Sequence, residues 1–291
     1  MKITEILKKE PLIFSCEFFP PKTEEGMSQL FQTAREMKDL KPGYISVTYG
    51  AGGGTRDKTL EIVSRIKHEI GIESMAHLTC VGHSKQEIKT ILDQIKSQGI
   101  ENVIALRGDP PKDQTRFVPH PDGFGHASEL VQFIQGSYDF CIAVAGYPEG
   151  HIEAKDKETD WNFLERKVSL GADFIVSQLF FNNQDFFTFE KKMKEKGIKV
   201  PMIPGIMPIT NFNQIVRFTQ MCGAKIPDAV VRDLDPVKED LEAVAAYGIE
   251  YATRQCEDLI RHGVPGIHFY TLNKSKSTKA IIQNLRRKKI R

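Results

Sequence analysis

The segment Ser15-Cys16-Glu17-Phe18-Phe19-Pro20-Pro21 sets one carboxylate at the end of an apolar run, where two prolines stop a strand. A glutamate among phenylalanines is costly as an anion. Burial there should push its pKa toward the range in which it can give up a proton near neutrality, as a general acid does. The segment alone fits a structural glutamate paired with an arginine equally well, because ion pairs perturb carboxylates as readily as catalysis does.

A carboxylate acts only where an element holds it. Short apolar runs recur at residues 13–18, 44–49, 74–79, 102–107, 140–147, 173–180, 200–206 and 266–272, separated by amphipathic stretches of helical spacing such as 27–40 and 86–97. The alternation reads as repeated βα units, and eight strands close a barrel. The expectation is an α/β chain folded as a single-domain (β/α)8 TIM barrel over residues 1–291. Strand side chains alternate faces, so Ile13, Ser15 and Glu17 share one side, pointing inward, while Phe14, Cys16 and Phe18 lie under helices. The same parity groups Ser46 with Thr48; Met75 and His77 with Thr79; Val103 and Ala105 with Arg107; Ala143 and Ala145 with Tyr147; Phe174 and Val176 with Gln178; and His268 with Tyr270. Seven strands thus offer inward polar groups at their C-terminal ends, where the active sites of such barrels assemble. Singly, His77, Tyr147 and Tyr270 read as packing residues with satisfied polar atoms. Together with Glu17, Arg107 and Gln178 they would leave many buried polar groups for a ligand or water to satisfy.

Other signals are weaker. Gly50-Ala51-Gly52-Gly53-Gly54-Thr55 lets backbone amides approach a flat or anionic ligand, but it is neither a dinucleotide fingerprint nor a Walker loop. Residues 160–167 open a helix with Asp160 at its cap, and Arg166 and Lys167 on it suit either a pyrophosphate or a solvated face. Residues 110–125, rich in proline, suit a loop over the active-site face. No His-Glu-x-x-His or Gly-x-Ser-x-Gly pattern occurs, so neither a metal site nor serine catalysis is expected.

Lysine plus arginine number 40 against 38 for aspartate plus glutamate, a balance that speaks against nucleic acid or an anionic membrane as partner and for small-molecule substrates. The basic end, residues 286–291, reads as a solvated helix terminus. Five scattered cysteines suggest no disulfide framework, and no run is long and apolar enough to be a signal peptide or membrane span. A cytoplasmic protein is expected.

The blocks SCEFFPP from Ser15, SVTYGAGGGTRD from Ser46, HLTC from His77, ALRGDPP from Ala105, AGYPEGHIEAK from Ala145, SQLFF from Ser177, PGIMPITNF from Pro204 and HFYTLN from His268 resemble, in order and over nearly the whole chain, the catalytic domain of methylenetetrahydrofolate reductases in their short bacterial form. The resemblance implies a barrel holding FAD noncovalently. NADH or NADPH reduces the flavin and leaves, and methylenetetrahydrofolate then takes its place, giving methyltetrahydrofolate for methionine synthesis. It implies Glu17 as the acid that opens the five-membered folate ring, with Asp109 near flavin and pterin. Gln178, Phe212, Tyr270 and Lys274 are implied at the substrate. Thr48, Tyr49, Ala51, His77, Arg107, Gly108, Asp109, Ala127, Tyr147, His151, Asp160, Arg166 and Lys167 are implied at the cofactor, Thr48 also touching nicotinamide. Lys274 stands where some relatives carry an arginine and cannot make the same bidentate fork. Phe163 replaces a polar residue on the adenine side of some relatives. The family's bacterial forms imply a homo-oligomer. With no room for the regulatory domain of eukaryotic members, inhibition by S-adenosylmethionine is not expected. The readings from other classes are a pterin-binding barrel that transfers a methyl group without redox chemistry, and a folate- or nucleotide-binding protein without catalysis. A proline-dehydrogenase-like flavin barrel is disfavoured by the EFFPP and RGDPP blocks.

Overall fold

The computed structural model describes residues 1–49, 56–110 and 116–288, and of Arg56 and Asp57 the backbone alone. The eight apolar runs form parallel strands β1 (Ile13–Phe18), β2 (Tyr44–Val47), β3 (Ser74–Thr79), β4 (Asn102–Leu106), β5 (Cys141–Gly146), β6 (Phe174–Leu179), β7 (Met202–Ile206) and β8 (Gly266–Tyr270), closed in sequential order into one barrel. Closure is made by β1 against β8, with Glu17 level with Tyr270. Around it run α1 (Ile3–Lys9), α2 (Glu24–Lys38), α3 (Arg56–Arg65, continued by a π-helical turn at Ile66–Ile70), α4 (Lys85–Ser97), α5 (Ala127–Ser137), α6 (Lys157–Ser169), α7 (Asn183–Glu195), α8 (Phe212–Cys222), α9 (Asp228–Leu234), α10 (Leu241–Arg261) and α11 (Lys276–Arg287). This is the (β/α)8 TIM barrel expected from the strand count.

Helix starts follow from side chains that accept the otherwise unpaired first amides. Thr23 caps α2, Ser84 with Glu87 forms a capping box on α4, and Asn182, Asn211 and Asp240 cap α7, α8 and α10. On α6 the structure corrects the sequence reading: the cap is Asp156, whose carboxylate accepts from Thr159 N–H at 2.8 Å, and Asp160 lies inside the first turn.

Two apolar layers result. Cys16, Phe18, Ile45, Val47, Leu78, Val103, Ala105, Val144 and Ile175 face the helices, and each large side chain buried there contributes about 1.5–3 kcal/mol. Ile13, Tyr44, Met75, Ile104, Ala143, Phe174, Val176 and Ile203 fill the barrel, and Ile3 of α1 plugs the end where the strands begin. A second correction emerges here. On β4 the inward side chains are Ile104 and Leu106, whereas Val103 and Ala105 face outward. Arg107 follows the last residue of β4, past the point where alternation governs direction. The packed lower layers leave only the C-terminal end of the barrel open.

Candidate active site

At that end lies a cavity of about 660 Å³, within the usual range for small-molecule sites. Glu17 stands on its wall, 21% exposed, with Oε2 3.4 Å from His77 Nε2 and 3.8 Å from His268 Nε2. Its ionisable neighbours within 4 Å among the described residues are these two imidazoles, not an arginine. His268 is buried, accepts or donates through Nδ1 to Ser15 Oγ at 2.8 Å, and stacks on Tyr44. Burial pushes His77 down to about 4, with Glu17 opposing and His268 reinforcing the shift, so its ring is neutral near pH 7. His77 Nε2 and Thr79 Oγ1 are buried on the cavity wall without a hydrogen-bond partner among the described residues.

Gln178 reaches the cavity by the inward parity it shares with Phe174 and Val176, beside an irregularity in the sheet. Pairing between β6 and β7 shifts register between Val176 and Leu179, the kind of bulge that re-aims side chains beside active sites. The shifted backbone is pinned by Ser177 Oγ accepting from Gly205 N–H at 2.9 Å and by Tyr270 O–H donating to Ser177 O at 2.7 Å. Gly205 permits this contact: a Cβ there would meet Ser177 O at 2.3 Å and the Tyr270 ring at 2.6 Å.

The opposite rim carries an ion pair. Arg107 makes a bidentate pair with Glu153, at 2.6 and 2.9 Å, and lies over the Phe117 ring. That pairing raises the Arg107 pKa and lowers that of Glu153. Gly108 turns the chain at φ 87°, where a Cβ would press on Val81 at 2.8 Å. Asp109, exposed, and Tyr147 and His151, half-buried, complete this side. Burial lowers the His151 pKa, with Arg107 adding to the effect. Just behind, Lys167 Nζ donates to Ala145 O at 2.6 Å, and burial pulls its pKa down to about 8 against the opposing charge of Asp160, whose own pKa burial raises.

The structure therefore brings Glu17, Thr48, Tyr49, His77, Arg107, Gly108, Asp109, Tyr147, His151, Gln178 and Tyr270 to one cavity. Asp160 and Lys167 lie behind its wall, and Arg166 is exposed on α6. Ala127 opens α5, and Phe163, also exposed, stacks on His126 beside it. Phe212 is buried behind Leu179 and Met207, and Lys274 is exposed beyond the lining. Ala51 lies outside the described residues. Glu153 was missed, since no sequence signal ties it to Arg107, 46 positions away. His268 shared the inward parity but was not singled out. Among the described residues no His, Cys, Asp and Glu cluster is placed to hold a metal ion, and no helix is long and apolar enough to cross a membrane.

A closed parallel barrel with ionisable groups gathered at its C-terminal mouth has the architecture of a TIM-barrel enzyme. Residues 2–286 match the family model for methylenetetrahydrofolate reductase, and the chain belongs to that family. It is 43% identical over 295 residues to the Arabidopsis thaliana methylenetetrahydrofolate reductase (NADH) 1, covering 98% of this chain and 50% of the plant protein. With the Escherichia coli 5,10-methylenetetrahydrofolate reductase it shares 38% identity over 271 residues, 93% of this chain and 90% of that one. The chain thus spans about half the length of the plant relatives it matches. Among solved structures it resembles an uncharacterised Clostridium thermocellum protein that binds two copies of 5-methyl-5,6,7,8-tetrahydrofolic acid, with TM-score 0.59, 16% identity and 97% coverage of both chains. It also resembles an oxaloacetate acetylhydrolase, with TM-score 0.52, 11% identity and coverage of 99% of this chain and 83% of that one. At such identities the likeness is one of fold.

Proposed function

We propose that this chain reduces 5,10-methylenetetrahydrofolate to 5-methyltetrahydrofolate with electrons from NADH or NADPH, through noncovalently bound FAD and with both substrates using one pocket in turn. The observation that carries this reading is Glu17, a half-buried carboxylate on the wall of a ligand-sized cavity with two imidazoles for neighbours. The residues present fit a flavin: buried His77 Nε2 and Thr79 Oγ1, without hydrogen-bond partners among the described residues, offer polar contacts, and the Arg107 guanidinium, held by Glu153, stands on the rim. When bound, FAD supplies the two-electron carrier between nicotinamide and folate.

The chain's own part is binding and proton transfer. Thr48, Tyr49, His77, Arg107, Gly108, Ala127, Tyr147, His151 and Asp160 would hold the cofactor, with Arg166 and Lys167 facing its pyrophosphate. Glu17 would protonate the ring nitrogen that leaves as the folate's five-membered ring opens, while Asp109, Gln178 and Tyr270 orient the pterin. Phe212 and Lys274 would contribute where the substrate extends past the cavity wall. The family resemblance supports a homo-oligomer, and sedimentation of the purified protein tests it; the cysteine pattern supports a cytoplasmic location.

Visible absorption under anaerobic conditions tests the enzymatic reading. The protein should purify yellow or take up FAD, bleach with NADH or NADPH, and recolour with methylenetetrahydrofolate. Glu17→Gln should bleach within about twofold of the wild-type rate and recolour at least ~100-fold more slowly, the usual scale for losing a general acid. A colourless protein that takes up no FAD would favour the redox-free pterin barrel instead.

A further inference from the structure

Two residues past Glu17 the backbone of the first strand runs out of strand partners. β1 ends at Phe18, and beyond it the Phe19 amide and carbonyl must find partners outside the barrel ladder. One side chain supplies both. Phe19 N–H donates to Asn273 Oδ1 at 2.9 Å, and Asn273 Nδ2 donates to Phe19 O at 2.8 Å. The carboxamide thus serves as one more rung between β1 and β8. Just below it, Thr271 Oγ1 donates to Glu17 O at 2.7 Å.

The placement of this rung strains the chain that carries it. Leu272 and Asn273 have φ of 50° and 58°, two consecutive non-glycine residues in the left-handed region, and Lys274 N–H closes the turn on Thr271 O at 3.0 Å. Asparagine tolerates such a conformation; leucine rarely adopts it. Strain of this kind persists where surrounding contacts over-determine it, and it gathers at functional sites. Here Leu272 lines the cavity, and Phe19 stands on the cavity rim with 42% of its surface exposed although it is a large aromatic. The turn therefore fixes three things at once: the carbonyl of Glu17, the backbone of Phe19, and the ring that borders the mouth.

We propose that Asn273 is a positioning residue for the folate half of the reaction, holding Glu17 and the Phe19 ring in register with bound substrate through its two hydrogen bonds to Phe19. The proposal rests on the function proposed above. Asn273→Gly keeps the left-handed turn accessible and removes only the clamp. Asn273→Asp keeps the acceptor for Phe19 N–H and loses the donor to Phe19 O, and it serves if the glycine variant does not fold.

Two readouts separate the clamp from the function. In the glycine variant, hydrogen exchange at the Phe19 amide should accelerate at least ~10-fold relative to its neighbours within β1. Reduction by NADH or NADPH should stay within about twofold of wild type, while reoxidation by methylenetetrahydrofolate slows ~10- to 100-fold, the scale of a misplacement of about 1 Å. The acid-dependent limb of that half-reaction's pH profile should also move. Unchanged Phe19 protection, an unchanged folate half-reaction, or an equal loss in both half-reactions would overturn the proposal. If wild-type protein performs neither half-reaction, the functional reading fails, and Phe19 exchange still reports the clamp by itself.

Discussion

Replacing His77 with glutamine should remove a defined part of the protein's acid sensitivity. His77 is buried on the barrel wall, and burial holds its pKa at about 4 against 6.5 for an ordinary histidine. Between those values the unfolded chain binds a proton at this position and the folded chain does not. Stability contributed here is therefore complete above pH 6.5 and is lost as pH falls to about 4. At about 1.4 kcal/mol per pH unit, the loss is ~3 kcal/mol. Urea unfolding of flavin-free wild type and His77→Gln, compared between pH 7 and pH 4, isolates this contribution, because other titrating groups act on both proteins. The stability difference, wild type minus variant, should fall by ~3 kcal/mol across that window. Parallel curves, differing by less than ~1 kcal/mol over the window, would refute the claim that His77 is buried neutral. They would also weaken its assignment as a polar contact for a cofactor.

Two other outcomes follow from the same wall. Gly205→Ala should cost at least ~3 kcal/mol or prevent folding, because the new methyl would overlap Ser177 O and the Tyr270 ring; circular dichroism and urea midpoints measure this, and a wild-type midpoint would contradict the bulge as described. Trp161, the single tryptophan, donates its indole N–H to Tyr147 O at 3.0 Å behind the cavity; its fluorescence should be quenched as FAD is titrated in, and an unaltered emission at saturating FAD would place the flavin elsewhere.

The barrel was legible because its strands are short apolar runs bounded by turn residues, as β1 and β3 show by matching the predicted residues 13–18 and 74–79. The other strands begin or end one or two residues inside their apolar runs, since the run continues into a loop after pairing stops. Parity succeeded where a strand carried polar residues, as with Ser15 and Glu17, and failed on β4, whose Asn102–Leu106 stretch is apolar on both faces beyond its first residue. There Arg107 was the only guide, and it lies past the strand. Asp160 and Asp156 both precede the same apolar stripe, and only the amide that each carboxylate can reach shows that Asp156 is the helix cap. The π-helical turn at Ile66–Ile70 leaves no periodic signal over so short a span. The Arg107–Glu153 pair and the Asn273 clamp join distant loops, and no local pattern announces either.

Joining β1 to β8 also sets a timetable. The partner of β1 is synthesised some 250 positions later, so during translation the strand bearing Glu17 waits with one side unpaired until residues 266–270 leave the ribosome. Until then β1 and β7 are open strand edges, the surfaces on which chains pair wrongly with one another. The strained turn after β8 thus arrives after every strand of the barrel and fastens the sheet's first strand. Substitutions in residues 271–274 should therefore lower the yield of correctly folded protein in the cell more than their effect on equilibrium stability would suggest.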